Sequence, residues 1–124
     1  MPNLETALKD ALAIDGAFGV ALVDYNSGLA LGSLGNSPDF DLNIAAAAIT
    51  DVVRAKLRAL EMLSLHQEAL EDMLITLSGQ YHVVRPMTAQ SGQGIFLYLA
   101  LDRARANLAL ARHQMKLIEQ SLEL

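Results

Sequence analysis

The segment "GAFGVALVDYNSGLALGSLG", residues 16–35, decides how the rest of this sequence is interpreted. Residues 18–23 alternate large and small apolar side chains, so both faces of the predicted strand are apolar, as in a strand at the centre of a sheet. "DYNSG" consists of residues that accept turn dihedrals and is short enough to join antiparallel strands with a bulge. Residues 29–34 form the second predicted strand. The segment therefore predicts an apolar β-hairpin that carries no side chain typical of catalysis.

Helical patterns precede and follow this hairpin. Residues 4–12 have apolar side chains at helical spacing, with Asn3 as the predicted N-cap. Residues 42–65 form the longest helical pattern, which Asp39 or Asp41 is placed to cap. A third helix is predicted after Asn107, where apolar residues recur at steps of three and four.

The second predicted helix is more apolar than a helix that covers a sheet from the solvent side requires. Its predicted polar stripe consists of Thr50, Arg54, Arg58 and Glu61. Its predicted apolar face consists of Ile49, Val52, Val53, Leu57, Leu60 and Leu63. The surplus of apolar residues indicates that this helix also contacts something outside its own core.

Three more strands are predicted between the second and third helices. Residues 73–77 and 81–87 form a hairpin around Gly79, and residues 95–101 follow a loop over residues 88–94. Pro86 cannot donate to a ladder, so its end of the strand should lie at a margin or a bulge. We therefore expect an α+β fold, in the order α-β-β-α-β-β-β-α, with a single antiparallel five-stranded sheet sandwiched by helices in one domain spanning residues 1–124.

The composition excludes several classes of function. The net charge of −5 argues against a general electrostatic grip on nucleic acid. The longest apolar runs, residues 17–23 and 95–101, are far shorter than the roughly 20 residues needed to span a bilayer. The N-terminal segment has charged residues within its apolar pattern, unlike a signal peptide. We therefore expect a cytoplasmic protein without nucleic-acid binding or membrane insertion.

No constellation of residues predicts catalysis or a cofactor. The chain has no Cys, and His66, His82 and His113 fall in three different elements without a further ligand at the spacing of a zinc site. The sequence has neither the dinucleotide fingerprint nor the phosphate loop, and no G-x-S-x-G nucleophile elbow. We therefore expect no enzyme, no metal and no cofactor.

The strand at residues 73–77, "MLITL", indicates a homodimer. It has no Lys, no Pro and no inward charge, so at a sheet margin it would be an unprotected template for another strand. A two-fold copy supplying the same strand would pair its free backbone groups, and the second helix would pack on its mate across the same axis. The predicted dimer residues are Met73, Leu74, Ile75, Thr76, Leu77, Ile49, Val53, Leu57 and Leu60. The alternative is that both elements are merely internal.

Several segments together resemble the roadblock family, named for dynein light chains and similar to bacterial regulators of small Ras-like GTPases. They are "LKDALAIDGAFGVALVDYNSGLALGS", "DLNIAAAAITDVVRAKL", "EDMLITLSGQYHVVRPM" and "GIFLYLALDRARANLALAR" with the final helix. The resemblance covers nearly the whole chain and implies the fold expected above. It also implies a homodimer formed by the strand at residues 71–78 and the helix at residues 42–65.

The function implied by the resemblance is that of a non-enzymatic scaffold or regulator which binds a small Ras-like GTPase or another protein. Arg105 and Arg112 are candidate docking residues for an acidic partner, although a solvated face is the simpler explanation of these charges. Arg54, Arg58 or Arg105 could enter the active site of a GTPase partner. The alternative function is a small-molecule sensor with the helix-covered sheet of profilin and PAS domains.

Overall fold

The computed structural model of the protein describes residues 3–87 and 94–122. The predicted element order and the predicted α+β class are confirmed. In chain order the elements are α1 (Leu4–Leu12), β1 (Ala17–Asp24), β2 (Leu29–Gly35), α2 (Leu42–Met62), β3 (Met73–Thr76), β4 (Gln80–Pro86), β5 (Ile95–Asp102) and α3 (Leu108–Ser121). All but the last residue of the predicted loop at residues 88–94 lies outside the described residues.

The strands form one antiparallel sheet in the order β2-β1-β5-β4-β3. The two strands that are apolar on both faces, β1 and β5, lie side by side at its centre, and their inner residues are buried. Pro86 is the last residue of β4, as its missing N–H requires. The sheet therefore has two outer strands, β2 at one end and β3 at the other.

The turn between β1 and β2 confirms the predicted hairpin. The Asp24 carboxylate accepts from the N–H of Asn26 at 2.9 Å, and the backbone carbonyl of Asp24 accepts from the N–H of Gly28 at 2.7 Å. Gly28 has φ +76, a left-handed conformation that side chains rarely adopt. A bulge interrupts the register between Leu22 and Val23, as the length of the turn suggested.

Helices cover the two faces of the sheet unequally. Helices α1 and α3 pack together on one face, and α2 packs alone on the other. The core under α1 and α3 includes Leu8, Val20, Leu99 and Met115, all buried. The smaller core under α2 includes Phe96, Tyr98, Ile49 and Val53, all buried.

Helix α2 begins as predicted and ends earlier. The Asp41 side chain accepts from the backbone N–H groups of Asn43 and Ile44. At the other end, Leu63 caps the helix and Ser64 adopts a left-handed conformation with φ 59. The N–H of Leu65 donates to the carbonyl of Leu60 at 2.9 Å, which closes a Schellman motif. The predicted extension to residue 65 is therefore wrong, because the chain reverses at Ser64.

Thr50 was predicted in the polar stripe of α2 and is instead buried at 1% exposure. Its hydroxyl donates to the carbonyl of Ala46 at 2.6 Å, which satisfies its polar group inside the helix. A threonine that bonds its own helix in this way presents only a methyl group to its surroundings. This local hydrogen bond is why residue type alone misplaced Thr50.

A buried ion pair joins α3 to the sheet. The guanidinium Nε of Arg85 in β4 donates to Oε1 of Glu119 in α3 at 2.9 Å, and the two side chains are 7% and 0% exposed. This pair could not be predicted from local sequence patterns, since 34 positions separate the two residues. Removing one member of such a pair leaves the other charge buried, which costs far more than losing an exposed pair.

Replacement of Glu119 should test this pair. Glu119→Gln keeps the shape but removes the charge that compensates Arg85, and we expect it to lower the free energy of unfolding by about 3 kcal/mol. The matched control is Glu5→Gln, which breaks the exposed pair between Glu5 and Lys9 and should leave stability nearly unchanged. Urea unfolding followed by circular dichroism measures both. Equal small losses would show that the buried pair contributes no more than the exposed one.

A substitution at Ser64, the left-handed residue after α2, is expected to increase stability rather than lower it. Ser64→Gly removes a Cβ from a position with φ 59 and should raise the free energy of unfolding by roughly 0.5–1 kcal/mol. Ser121→Gly, at the last residue of α3, should lower it slightly, because this residue is helical and its hydroxyl donates to the carbonyl of Ile118. Thermal unfolding of the two variants beside the wild type measures the difference. Destabilisation by Ser64→Gly would contradict the prediction.

Candidate protein-docking site

Strand β3 lies at the end of the sheet with one edge unpaired. It pairs with β4 from Met73 opposite Val84 to Thr76 opposite Tyr81. Among the described residues, no strand pairs with its other edge. From its sequence, this segment was expected to be a template for a further strand if it lay at a sheet margin. The structure places it at that margin. Its free amides and carbonyls are therefore available to another chain.

The side chains of β3 divide between the two faces of the sheet. Met73 and Ile75 are half-buried and pack against the core under α2. Leu74 and Thr76 are exposed on the opposite face, and Leu77 is exposed just beyond the strand. The N–H of Leu77 donates to the carbonyl of Gln80 at 2.8 Å, which fixes the turn into β4. The exposed side chains available to a second chain are therefore those of Leu74, Thr76 and Leu77.

An open groove lies over β4 and β5 on the face that α2 covers only in part. Helix α2 packs mainly over β1 and β2, which leaves β4 and β3 covered only in part on that face. We call this space the sheet groove; its volume is about 460 Å³. Its floor contains His82 and Tyr98, and one end is closed by Asp39, Phe40 and Asp41. The wall along α2 is formed by Ile44, Ala45, Ala48, Ile49 and Val52.

Helix α2 has a second apolar stripe, which differs from the residues that the sequence assigned to the dimer contact. Ile49 and Val53, expected at the dimer contact, are 7% and 2% exposed and fill the core of their own chain. They leave almost no free surface for a second copy, although Ile49 reaches the wall of the sheet groove. The residues with free apolar surface are Ile44, Val52 and Met62, at 68%, 41% and 79% exposure.

We call these three residues, with the small residues Ala48, Ala55 and Ala59 at intervening positions, the outer stripe of α2. The spacing from Ile44 through Ala48 to Val52 is four residues, so these side chains lie on one side of the helix. Leu57 and Leu60, the other predicted contact residues of the helix, are half-buried, and Leu57 packs against the core under α2. The four-residue spacing was the signal in the sequence that could have found the outer stripe.

His82 is the polar centre of the sheet groove. Its Nε2 is 2.8 Å from Oε1 of Gln80, and its Nδ1 is 3.2 Å from the hydroxyl of Tyr98. An amide oxygen only accepts, so this network places the hydrogen on Nε2 and leaves Nδ1 to accept from Tyr98. Burial lowers the pKa of His82 and raises the pKa of Tyr98. The arrangement therefore holds a neutral imidazole whose two nitrogens are both satisfied.

Aromatic contacts fix the imidazole in place. The rings of Phe40 and Tyr98 both meet it edge-on, with centroids at 5.8 and 5.5 Å. Phe18 supports Phe40 in turn at 5.1 Å. The sequence pattern did not group His82 with these rings, because they come from three distant segments.

The four predicted docking arginines differ in how free they are. Arg112 donates to both carboxylate oxygens of Asp72 at 2.9 Å, and these hydrogen bonds raise the pKa of Arg112. Arg54 donates to the backbone carbonyl of Asn26 and lies 3.9 Å from the carboxylate of Asp51. Both guanidinium groups are therefore occupied by contacts within their own chain.

Arg58 and Arg105 are exposed, and within the part of the chain that the structure describes they form no ion pair. Arg58 lies on α2 in a second groove that also contains Tyr25 and His66. Arg105 lies between β5 and α3. Among the four predicted docking arginines, these two have guanidinium groups that are available to a partner.

Neither a metal cluster nor a membrane-spanning helix occurs in residues 3–87 and 94–122. No three residues of the His, Cys, Asp and Glu types come together there in a way that would hold a metal ion. No helix in the same ranges combines the length and the apolar character needed to cross a bilayer. His66, His82 and His113 lie in the loop after α2, in β4 and in α3.

Solved structures with the same fold are found among roadblock-type proteins. The Roadblock/LC7 domain from Streptomyces avermitilis superposes with a TM-score of 0.76 at 16% identity, covering 97% of this chain and 94% of that one. Myxococcus xanthus MglB has a TM-score of 0.73 at 20% identity, with 92% and 83% covered. An MglB with a tetrameric arrangement has a TM-score of 0.66 at 16% identity, with 92% and 85% covered.

The chain therefore has the Roadblock/LC7 fold, which confirms the fold that the sequence resemblance implied. No family model matches the chain, and no curated protein matches it by sequence. At 16–20% identity the likeness is one of backbone architecture. Because one fold hosts many functions, the function has to be argued from the surfaces described above.

Proposed function

We propose that this chain, as one domain of residues 1–124, is a non-enzymatic homodimeric scaffold of the cytoplasm that binds or regulates a small Ras-like GTPase. The observation that carries the proposal is the combination of an unpaired β3 edge with an uncovered groove next to it. The fold and the resemblance of the sequence to the roadblock family support the GTPase as partner. The tetrameric arrangement of one MglB is an instance of copies with this fold assembling.

The geometry of β3 supports the proposed dimer. Two copies related by a two-fold axis would place their β3 strands antiparallel, so that each pairs the free backbone groups of the other. The sheet would then continue from one chain into the next on both faces. On the face of the sheet groove, the outer stripe of each α2 would come over the exposed part of the neighbouring sheet and exclude water from it.

The groove supports binding better than catalysis. His82 and Tyr98 hydrogen-bond to each other, and His82 also bonds Gln80. A general base needs a free lone pair aimed at a substrate, whereas Nδ1 of His82 already accepts from a phenol. The remaining wall is apolar apart from Asp39 and Asp41 at its rim. Such a surface favours contact with another apolar protein surface.

A lysine on the β3 edge tests the dimer. Leu74→Lys places a charge at the proposed strand contact, and we expect the dissociation constant of the dimer to rise by about tenfold or more. Leu29→Lys is the matched control, since Leu29 is an exposed leucine on β2, the outer strand at the other end of the sheet. Sedimentation equilibrium of both variants and the wild type measures the constants. A wild type that stays monomeric at tens of micromolar would overturn the dimer.

The outer stripe gives an independent test of the same contact. Val52→Asp puts a charge on α2 where the second copy would exclude water, and it should weaken the dimer to a similar degree. Leu117→Asp on α3 is the control, because Leu117 is comparably exposed on the face that the proposed contact leaves free. An equal effect of both variants would place the contact elsewhere.

Arg58 and Arg105 are the residues we propose for contact with the GTPase. Their guanidinium groups are exposed, whereas those of Arg54 and Arg112 are held within the chain. Charge reversal, Arg58→Glu or Arg105→Glu, should weaken binding of the GTPase by about tenfold and leave the dimer intact. Lys9→Glu, on α1, is the control for a general change of net charge.

Titration calorimetry with a Ras-like GTPase from the same genome, loaded with GDP or with a non-hydrolysable GTP analogue, measures this binding. We expect one nucleotide state to bind more tightly than the other. Equal failure to bind in both states would remove the GTPase from the proposal and leave the homodimer standing.

The alternative function, a small-molecule sensor, is favoured by one observation. The sheet groove, of about 460 Å³, has a mostly apolar lining and a few polar groups, which is the usual character of a ligand pocket. A thermal-shift screen against metabolites tests it. A compound that stabilises the protein strongly and also releases the dimer would make the groove a ligand site, since both occupants need the same space.

A further inference from the structure

His82 lies where the proposed dimer contact crosses the sheet groove. In β4 it is opposite Ile75 of the outer strand β3, and on its other side it is opposite Ala100 of β5. Its ring forms part of the floor of the sheet groove, which is open in a single chain. In the proposed dimer, the apolar outer stripe of the second copy's α2 covers this floor.

The hydrogen bonds of His82 suit only the neutral imidazole. A second proton would go to Nδ1, which now accepts from the hydroxyl of Tyr98. The hydroxyl would have to turn and accept, and its own hydrogen would need a new acceptor. In the open groove water supplies that acceptor, whereas beneath an apolar helix none is at hand.

The charged groups that face His82 would stabilise its protonated form only weakly. Asp39 and Asp41 line the same groove, but both are exposed, and the carboxylate of Asp41 already accepts two backbone N–H groups of α2. Between them in sequence, Phe40 places its ring against the imidazole. The α2 wall of the groove contributes apolar residues only, β3 contributes Met73 and Ile75, and β5 contributes the uncharged Tyr98.

We propose that His82 makes the homodimer sensitive to pH, so that acidification protonates its imidazole and separates the two copies. This inference rests on the proposed function, because it needs a second chain over the sheet groove. The partner is a second copy of this chain, and the controlling ligand is the proton.

The direction of the effect follows from linkage. The pKa of His82 is already lowered by burial in the single chain, and covering the groove with an apolar helix lowers it further. The separated chains therefore bind more protons than the dimer does. Association is favoured above the pKa of His82 in the single chain and is lost as the pH falls through it. Each dimer contains two copies of His82, so the dependence is doubled.

Sedimentation equilibrium at pH 7.5 and pH 5.5 tests the proposal. We expect the dissociation constant of the wild type to be severalfold higher at pH 5.5 than at pH 7.5, and His82→Gln to remove most of that ratio. His66→Gln and His113→Gln are matched controls, since both histidines are exposed and lie outside the sheet groove; they should keep the wild-type ratio.

The possible results distinguish a failure of the proposed dimer from a failure of its proposed pH dependence. A wild type that is monomeric at pH 7.5 overturns the dimer, and with it this inference. A dimer whose dissociation constant is the same at both pH values overturns the inference alone, as does a His82→Gln variant that keeps the wild-type ratio. NMR titration of the His82 ring decides the matter without replacing His82: its pKa should be lower in the wild-type dimer than in the Leu74→Lys chain, and an equal pKa would overturn the inference.

Discussion

The width of a helix relative to the spacing of strands constrains the whole structure. Strands lie about 4.8 Å apart and a helix with its side chains is about 10 Å wide, so one helix covers roughly two strands. A five-stranded sheet therefore needs at least two helices on each face. This chain supplies two helices, α1 and α3, to one face and only α2 to the other. The unequal cover leaves the β3 and β4 side of one face without a helix of its own.

The two faces of β4 show how differently the chain treats closed and open surfaces. On the closed face, Arg85 is buried under α3 and its charge is compensated by Glu119 at 2.9 Å. On the open face, His82 carries no compensating charge at hydrogen-bond distance and is held neutral by Gln80 and Tyr98. A permanent charge can be buried permanently when it is paired. A titratable group at an open face can instead respond to what covers it.

The unpaired edge of β3 and the sheet groove lie on the side of the sheet that α2 leaves without a helix. Strand β3 follows the long loop after α2 and pairs with β4, which α2 covers only in part, so the outer edge of β3 is unpaired and the sheet groove beside it meets solvent. Two copies that join at β3 would remedy both deficiencies in one contact, since each edge meets an edge and each α2 comes over the neighbouring face. Because one contact would cover both the β3 edge and the sheet groove, we favour a homodimer over two unrelated partners that each bind one of them.

Much of the fold was predictable, because it depends on local patterns. The alternation around Phe18–Leu22 in β1, the caps Asn3 and Asp41, and the turn at Gly28 each act over a few residues. The site was predicted only in part. Ile49 and Val53 were assigned to the dimer because apolar spacing on a helix does not say which of two apolar faces meets the helix's own sheet.

The sequence by itself determined the order of the elements, the apolar character of β1 and β5 on both faces, and the absence of protecting charges from β3. Those properties are set by side chains within a turn or a strand. Only the tertiary structure decided that β3 is an outer strand, that Arg85 meets Glu119, and that His82 meets Tyr98. Such contacts join segments far apart in the chain, and packing of the whole sheet brings them together, so no local pattern encodes them.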